Sequence, residues 1–428
     1  MKDQLYFLAR QAATGMMSRR EFMGRAAALG LTAAAANSLL STEVMAAGPQ
    51  KGGTIRVGLQ GGSTTDSLDP ALATNQVALS LIRLWGESLV ELADDGGIQG
   101  KVAESYSASA DARVWTFKIR QGITFSNGKP VTAEDVAQTM DRHSGEDTKS
   151  GALGIMRSIT NISTEGDSVI IELDSPNADL PYLMTDYHLA IQPGGGKDDP
   201  AAAIGTGPYI LKEVDMGVRF VAEKNPNSWG DLGNAETIEY VVINDNTARV
   251  AALQSGLVDM IDRVPPRTAK LVDRAPNINV HSTSGPGHYV FIMHCNTAPF
   301  DNNDVRMALK YGINRQEMVD KILLGHGAVA NDIPIGPANQ YFASDLPMND
   351  YDPDMAKSLL KQAGLDGLQV DLSASDAAFS GAVDAAQLYQ ASAKAAGIDI
   401  NVVQEPADGY WSNVWLKKPW CACYWSGR

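Results

Sequence analysis

Val370-Asp371-Leu372, then Gly381 through Ala396, then Ile398-Asp399-Ile400-Asn401-Val402-Val403 spell a strand, a helix and a second strand in unbroken order. The two outer segments alternate apolar with polar residues, the period of a half-buried strand. The alanine-rich segment between them runs for about four turns and is stopped by Gly397. A β-α-β run of this kind belongs to α/β architecture.

Toward the N-terminus the same character continues back to about residue 285. Asp352 caps a helix with Pro353 preset at its first position, and Gly364 closes it. Val305, Leu309 and Ile313 recur at spacing four, Met318–Leu324 is a shorter helix stopped by Gly325, and His288–His294 is a strand candidate. Before residue 285 the pattern differs. Pro265-Pro266 interrupts it, a helix is expected over Thr247–Gly256, and strands are expected between Gly205 and Asn244. The Pro- and Gly-rich stretch Pro193–Pro200 marks a subdomain boundary. Further upstream, Val114–Arg120 alternates strictly with Trp115, Phe117 and Ile119 on one face, and Asn127-Gly128 marks a tight turn. Thr132 then caps a helix whose first turn carries Glu134 and Asp135 and whose buried side carries Val136 and Met140. Ser168–Leu173 is another strand. Near the start, the strand Thr54–Leu59 runs into a polar, glycine-rich loop from Gly61 to Pro70.

The 428-residue chain is longer than one hydrophobic core usually serves, so two or three domains are expected. Its net charge of −15 argues against nucleic acid, whose phosphates need clustered Lys and Arg, and favours a monomer kept soluble by self-repulsion. Three cysteines exclude a disulfide scaffold, and a mean hydropathy of −0.15 excludes a multi-span membrane protein.

Residues 1–46 are expected to be an export signal. Ser18-Arg19-Arg20-Glu21-Phe22-Met23 precedes a charge-free apolar run from Ala26 to Leu40, and small residues follow at Val44-Met45-Ala46-Ala47, with cleavage expected after Ala46. The paired arginines resemble the twin-arginine signal, whose route carries folded proteins. A periplasmic location follows.

Catalytic signatures are missing from the sequence: there is no Gly-x-Ser-x-Gly elbow, no His-Glu-x-x-His and no Walker loop, and the six histidines lack metal-ligand spacing. No cofactor, no metal site and no catalytic residue is expected. Cys421 and Cys423 would face one side of a strand, with buried free thiols as the favoured state. Trp411, Trp415, Trp420 and Trp425 fall in the last 18 residues together with Tyr410 and Tyr424. Dense aromatic rings beside polar groups suit a small-molecule cleft, and core packing is the competing use of the same rings.

Several ordered segments resemble the peptide, opine and nickel class of solute-binding proteins that serve ABC importers. They are Gly52-Gly53-Thr54-Ile55-Arg56-Val57 with Leu68-Asp69-Pro70, the run Trp115–Pro130, Thr132-Ala133-Glu134-Asp135-Val136, Gly205-Thr206-Gly207-Pro208-Tyr209, Gln254–Asp259, Asn296–Phe300 with Val305–Leu309, and Tyr351-Asp352-Pro353. The resemblance implies an α/β, two-lobed periplasmic binding protein fold with an extra subdomain in the first lobe. Its function would be to capture a peptide-like or opine-like solute between the lobes and deliver it to a membrane permease. On this basis residues 47–70 and 203–284 form the core of the first lobe, 71–202 the extra subdomain and 285–428 the second lobe. Members of the class continue beyond the point corresponding to Arg428, so a C-terminal part is expected to be missing.

Expected ligand contacts are Thr64 and Asp66 on the early loop, and Tyr410, Trp411, Cys423, Tyr424, Trp425 and Arg428 near the end. Oligopeptide-binding members carry an aspartate, paired with the peptide ammonium, where this chain has Cys423. A neutral thiol does not offset a buried ammonium charge. Arg428 suggests an anionic group instead, for which a guanidinium is the bidentate partner. Within the class the alternative is a nickel or metal-chelate binder. Outside it the alternative is an exported hydrolase.

Overall fold

The computed structural model describes residues 2–13, 16–32, 35–36, 38–40, 51–93, 96–230, 233–275, 278–283, 285, 287–330, 332–336 and 341–425. Val44–Ala47, at the expected cleavage site, and Arg428 lie outside the described residues. The chain forms two compact units, one of residues 1–58, 66–242 and 256–260, the other of 59–65, 243–255 and 261–428.

The first unit begins with helices α1 (Lys2–Ala13) and α2 (Arg19–Ala28). They share a small apolar cluster that includes Leu5, Leu8, Phe22 and Ala26. Ser18 caps α2 by accepting from the Glu21 amide. Among the described residues no helix is long and apolar enough to cross a membrane. Next come β1 (Thr54–Leu59) and α3 (Gln76–Trp85), capped by Asn75. The short hairpin β2 (Val90–Leu92) and β3 (Ile98–Gly100) follows.

Four antiparallel strands then make a sheet in the order β4-β5-β7-β6: β4 (Ala103–Ala108), β5 (Val114–Ile119), β6 (Ile159–Glu165) and β7 (Ser168–Leu173). Strict alternation in β5 does what its sequence requires, burying Trp115, Phe117 and Ile119 together. Helix α4 (Ala133–Ser144) covers this sheet with Val136 and Met140. Thr132 and Asp135 form a reciprocal capping box at its start, so two otherwise orphaned backbone amides are satisfied. Each large apolar side chain buried here contributes about 1.5–3 kcal/mol.

A second, five-stranded sheet has the order β11-β1-β10-β9-β8, with β8 (Tyr209–Asp215), β9 (Arg219–Lys224), β10 (Thr237–Val242) and β11 (Met260–Ile261).

In the other unit, β12 (His288–Met293), β13 (Leu368–Ala374), β14 (Ile398–Gln404) and β15 (Trp420–Trp425) form a sheet ordered β12-β15-β13-β14. Strands β13 and β14 are parallel, with Leu372 opposite Val402, and β12 is antiparallel to β15, with Val290 opposite Cys423. The helices of this unit are α5 (Asn246–Ser255), α6 (Pro266–Val272), α7 (Asn303–Gly312), α8 (Arg315–Lys321), α9 (Pro353–Gln362), α10 (Ala382–Ala393) and the single turn α11 (Tyr410–Asn413). Helix α10 is the crossover between β13 and β14, as the β-α-β pattern requires. Asp352 caps α9 by accepting from the Asp354 and Met355 amides.

Residues 59–65, expected in the first lobe, group with the C-terminal unit. Residues 243–255 and 261–284 group with the C-terminal unit rather than with the strands of 203–242.

Two buried histidines sit in the first unit. His143 Nδ1 lies 2.6 Å from Ser150 Oγ, and His188 pairs through Nδ1 with Asp186 and through Nε2 with the Ala73 carbonyl. Burial, assisted by the charge of Arg142 and by His188, pulls the His143 pKa down to about 4 against the opposing pull of Asp69 and Asp186. The folded state therefore holds His143 neutral, and its contribution to stability is complete above the unfolded value of 6.5. As pH falls toward 4 the unfolded chain takes up the proton first, and the contribution is lost. Urea unfolding of the wild type is expected to weaken by about 2 kcal/mol more than that of His143→Asn between about pH 7 and pH 5. Equal pH slopes for the two proteins would refute this account.

Candidate functional site

Helix α5 carries one fully buried side chain that its alanine-rich sequence does not announce, Arg249. Its guanidinium donates to five acceptors. Nη1 reaches the Ile243 carbonyl at 2.8 Å, and Nε reaches the Asp262 carbonyl at 3.3 Å. Nη2 reaches Asn246 Oδ1, Gln60 Oε1 and the Arg263 carbonyl at 2.8, 3.2 and 3.2 Å. A buried charge is tolerable only with this degree of satisfaction. Its effect is to tie the loop at Gln60, the segment 243–249 and the pair Asp262-Arg263 into one body.

Asp262 lies between two guanidiniums, 3.7 Å from Arg249 Nε and 3.8 Å from Arg263 Nε. Burial pushes its carboxyl pKa up, while Arg263, Arg249 and the Gln60 amide pull it down. One carboxylate thus serves two cations. Arg263 adopts a left-handed backbone with φ 48°, uncommon for a residue with a side chain. Its guanidinium carbon lies 4.2 Å from the centre of the Tyr424 ring, a cation–π contact.

The loop from Gln60 to Thr65 borders the same residues. The Gly61 amide donates to Asn244 Oδ1, and the Gln60 side chain donates to the Asp376 carbonyl. Gly61 has φ +95°, and a Cβ placed there would stand 3.8 Å from Arg263 Nη1, 3.9 Å from the Ala377 carbonyl oxygen and 4.0 Å from Trp411 Nε1. Asp408 fastens the far end of the loop by accepting from Ser63 Oγ, Thr64 Oγ1 and the Thr64 amide, which hold its carboxyl pKa below the usual range.

The sequence-derived residues divide by environment. Thr64 is exposed and bound to Asp408. Tyr410 is completely buried, donating its hydroxyl to the Ala422 carbonyl at 2.7 Å. Trp411 is 4% exposed and meets Tyr424 edge to face at 5.2 Å, while its indole Nε1 has no hydrogen-bond partner among the described residues. Cys423 is buried, and burial pushes its thiol pKa up to about 12. Tyr424 is half-buried and Trp425 exposed. These residues and Thr64 all belong to one unit. Asp66 belongs to the other, where it accepts from Asn75 Nδ2 and so orients the cap of α3. Cys421, Cys423 and Cys295 are free thiols, the last of them exposed. Among the described residues no group of three His, Cys, Asp or Glu side chains is placed to hold a metal ion.

Arg249, Arg263, Gln60 and Asp408 were not singled out from the sequence. An arginine inside Ala248-Arg249-Val250-Ala251-Ala252 and an Asp-Arg pair in front of Pro265-Pro266 were the available signals.

This α/β architecture, with two units and an aromatic and cationic face on one of them, is that of the periplasmic binding proteins. Residues 97–427 match the family described as bacterial extracellular solute-binding proteins, family 5 Middle, and the chain belongs to that family. It is 29% identical over 319 residues to the glutathione-binding protein GsiB of Salmonella typhi, covering 73% of this chain and 62% of that one. It is 28% identical over 294 residues to the nickel-binding periplasmic protein of Escherichia coli K12, covering 65% of this chain and 55% of that one. Among solved structures, the periplasmic binding protein AgaA of A. tumefaciens R10, in complex with agropinic acid, superposes with a TM-score of 0.81 at 25% identity, covering 88% of this chain and 77% of that one. The chain thus spans less than two thirds of the length of these curated relatives. They are solute-binding proteins, not enzymes.

Replacing Arg249 with Met would leave the Ile243, Asp262 and Arg263 carbonyls and Gln60 Oε1 without their donor. Arg249→Met is expected to lower stability by about 3–5 kcal/mol, read as a lower urea midpoint. A midpoint within error of the wild type would show that the clamp holds nothing together.

Proposed function

We propose that this protein is the non-enzymatic solute-binding component of an ABC importer, capturing a peptide-like or opine-like solute and handing it to a membrane permease. The observation that carries this reading is the family match over residues 97–427. The resemblance to AgaA supports an opine-like solute, and the resemblance to GsiB supports a peptide-like one. Residues 1–46 act as a twin-arginine export signal, the mature protein works as a monomer in the periplasm, and residues 71–202 are an added subdomain of the first lobe.

Thr64, Tyr424 and Trp425 present groups at the surface of their unit and are the proposed contacts among the sequence-derived residues, with Trp411 behind them. Tyr410 and Cys423 shape this face from within the core. Asp66 and Arg428 complete the set carried over from the sequence. A neutral thiol at Cys423 favours solutes that present no free ammonium at that point.

Isothermal titration of the full-length protein against glutathione, agropinic acid, unmodified dipeptides and nickel with histidine tests the reading. Binding of agropinic acid with a Kd of about 1 μM or tighter is expected, with the solute recovered unchanged. Tight binding of unmodified dipeptides would overturn the Cys423 argument. Binding of nickel–histidine alone would move the protein to the metal-chelate branch. A chemically altered solute would make it a hydrolase.

A further inference from the structure

We infer that Arg263, with the indole N–H of Trp411, forms an anion-receiving subsite that selects solutes by a carboxylate. This inference rests on the solute-binding reading above and narrows it to a class of ligand. Arg263 is four-fifths buried along its side chain, yet among the described residues its only ion-pair partner is Asp262, at 3.8 Å from Nε and already shared with Arg249. Its Nη nitrogens donate to no acceptor among the described residues, whereas Arg249, fourteen positions earlier, has every nitrogen engaged. Asp262 is the one carboxylate within ion-pair distance of both guanidiniums among the described residues.

Trp411 supplies the second, independent observation. The residue is 4% exposed and its Nε1 lacks a partner among the described residues, a costly state for a buried donor. Arg263 Nη1 and Trp411 Nε1 both lie beside Gly61, 3.8 and 4.0 Å from where its Cβ would stand. The Ala377 carbonyl oxygen lies 3.9 Å from the same point. Two neighbouring donors without an acceptor among the described residues, one of them charged, are complementary to an oxyanion. A guanidinium whose carbon rests 4.2 Å from the centre of the Tyr424 ring is positioned by that contact, and its planar fork suits bidentate capture of a carboxylate. A cationic or neutral solute group at this point would leave both donors unsatisfied, so the subsite discriminates by charge.

The test uses the full-length protein and three pairs of probes, each an acid and its charge-neutralised form: agropinic acid and its methyl ester, glutathione and its diethyl ester, and the dipeptide Met-Leu and Met-Leu amide. Binding is followed by tryptophan fluorescence and titration calorimetry. In the wild type, the acid of at least one pair is expected to bind at least about thirty-fold more tightly than its neutral form. Arg263→Gln is expected to abolish that ratio by weakening the acid alone, Arg263→Lys to restore part of it, and Trp411→Phe to weaken the acid several-fold. Urea unfolding of each variant separates loss of the subsite from loss of the fold. If Arg263→Gln folds and keeps the wild-type ratio, or if acid and neutral forms bind alike, the subsite does not exist although solute binding stands. If no member of any pair binds, the solute-binding reading falls and this inference with it.

Discussion

A guanidinium withdrawn from water loses several kcal/mol of hydration and must recover it from fixed acceptors. Arg249 recovers it from five, on the segments at Gln60, 243–246 and 262–263. Those acceptors cannot drift apart without stranding the charge. The early loop, the start of α5 and the turn before Pro265 are therefore held as one piece, although nearly two hundred residues of sequence separate the first from the others. Residues 59–65 and 243–255 belong to the same compact unit as the C-terminal α/β sheet, to which Gln60 is tied through the Asp376 carbonyl, Ser63 and Thr64 through Asp408, and Asn246 through Ser380.

The consequences pass outward from that clamp. Fixing the carbonyls of Asp262 and Arg263 orients the backbone of Arg263 into a left-handed conformation, and its side chain lands on Tyr424 of β15. Fixing Gln60 places Gly61 between Arg263 and Trp411, while Asp408 secures the other end of the loop through Ser63 and Thr64. The charged and aromatic face is therefore made of three pieces of chain, each anchored by a different interaction: a buried cation, an exposed carboxylate and a strand of the sheet. Its chemistry is that of recognition. It offers hydrogen-bond donors and aromatic rings.

The first unit is stabilised differently. Its cores are apolar, built on the alternating face of β5 and the buried side of α4, and its buried polar groups pair both locally, as in Asp186–His188 and Ser150–His143, and at long range, as in Glu87, which accepts from Thr206 Oγ1 and Trp229 Nε1. The Ser150–His143 pair resembles half of a hydrolytic triad. Both residues are buried and His143 is held neutral, so the pair holds the packing of α4 rather than activating a nucleophile.

Much of this was legible in the sequence because the signals are short-range. The alternation of Trp115, Phe117 and Ile119, the cap at Thr132, the Asp352-Pro353 helix start and the β-α-β run from Val370 to Val403 each depend on residues within one turn or one strand, and each folds as its period dictates. The aromatic cluster at the end of the chain was legible as composition, but rings serve a core and a ligand equally well. Only their tertiary neighbours separate Tyr410, sealed beneath Ala422, from Tyr424, half-open beneath a cation. Arg249 and Arg263 were invisible as a pair, because nothing local distinguishes a buried arginine from an exposed one. The sequence alone determined the α/β class and its segments, since periodicity and capping act within a few residues. The tertiary structure alone decided which charge is spent inside the protein and which is left for a partner, since that depends on acceptors brought from far along the chain.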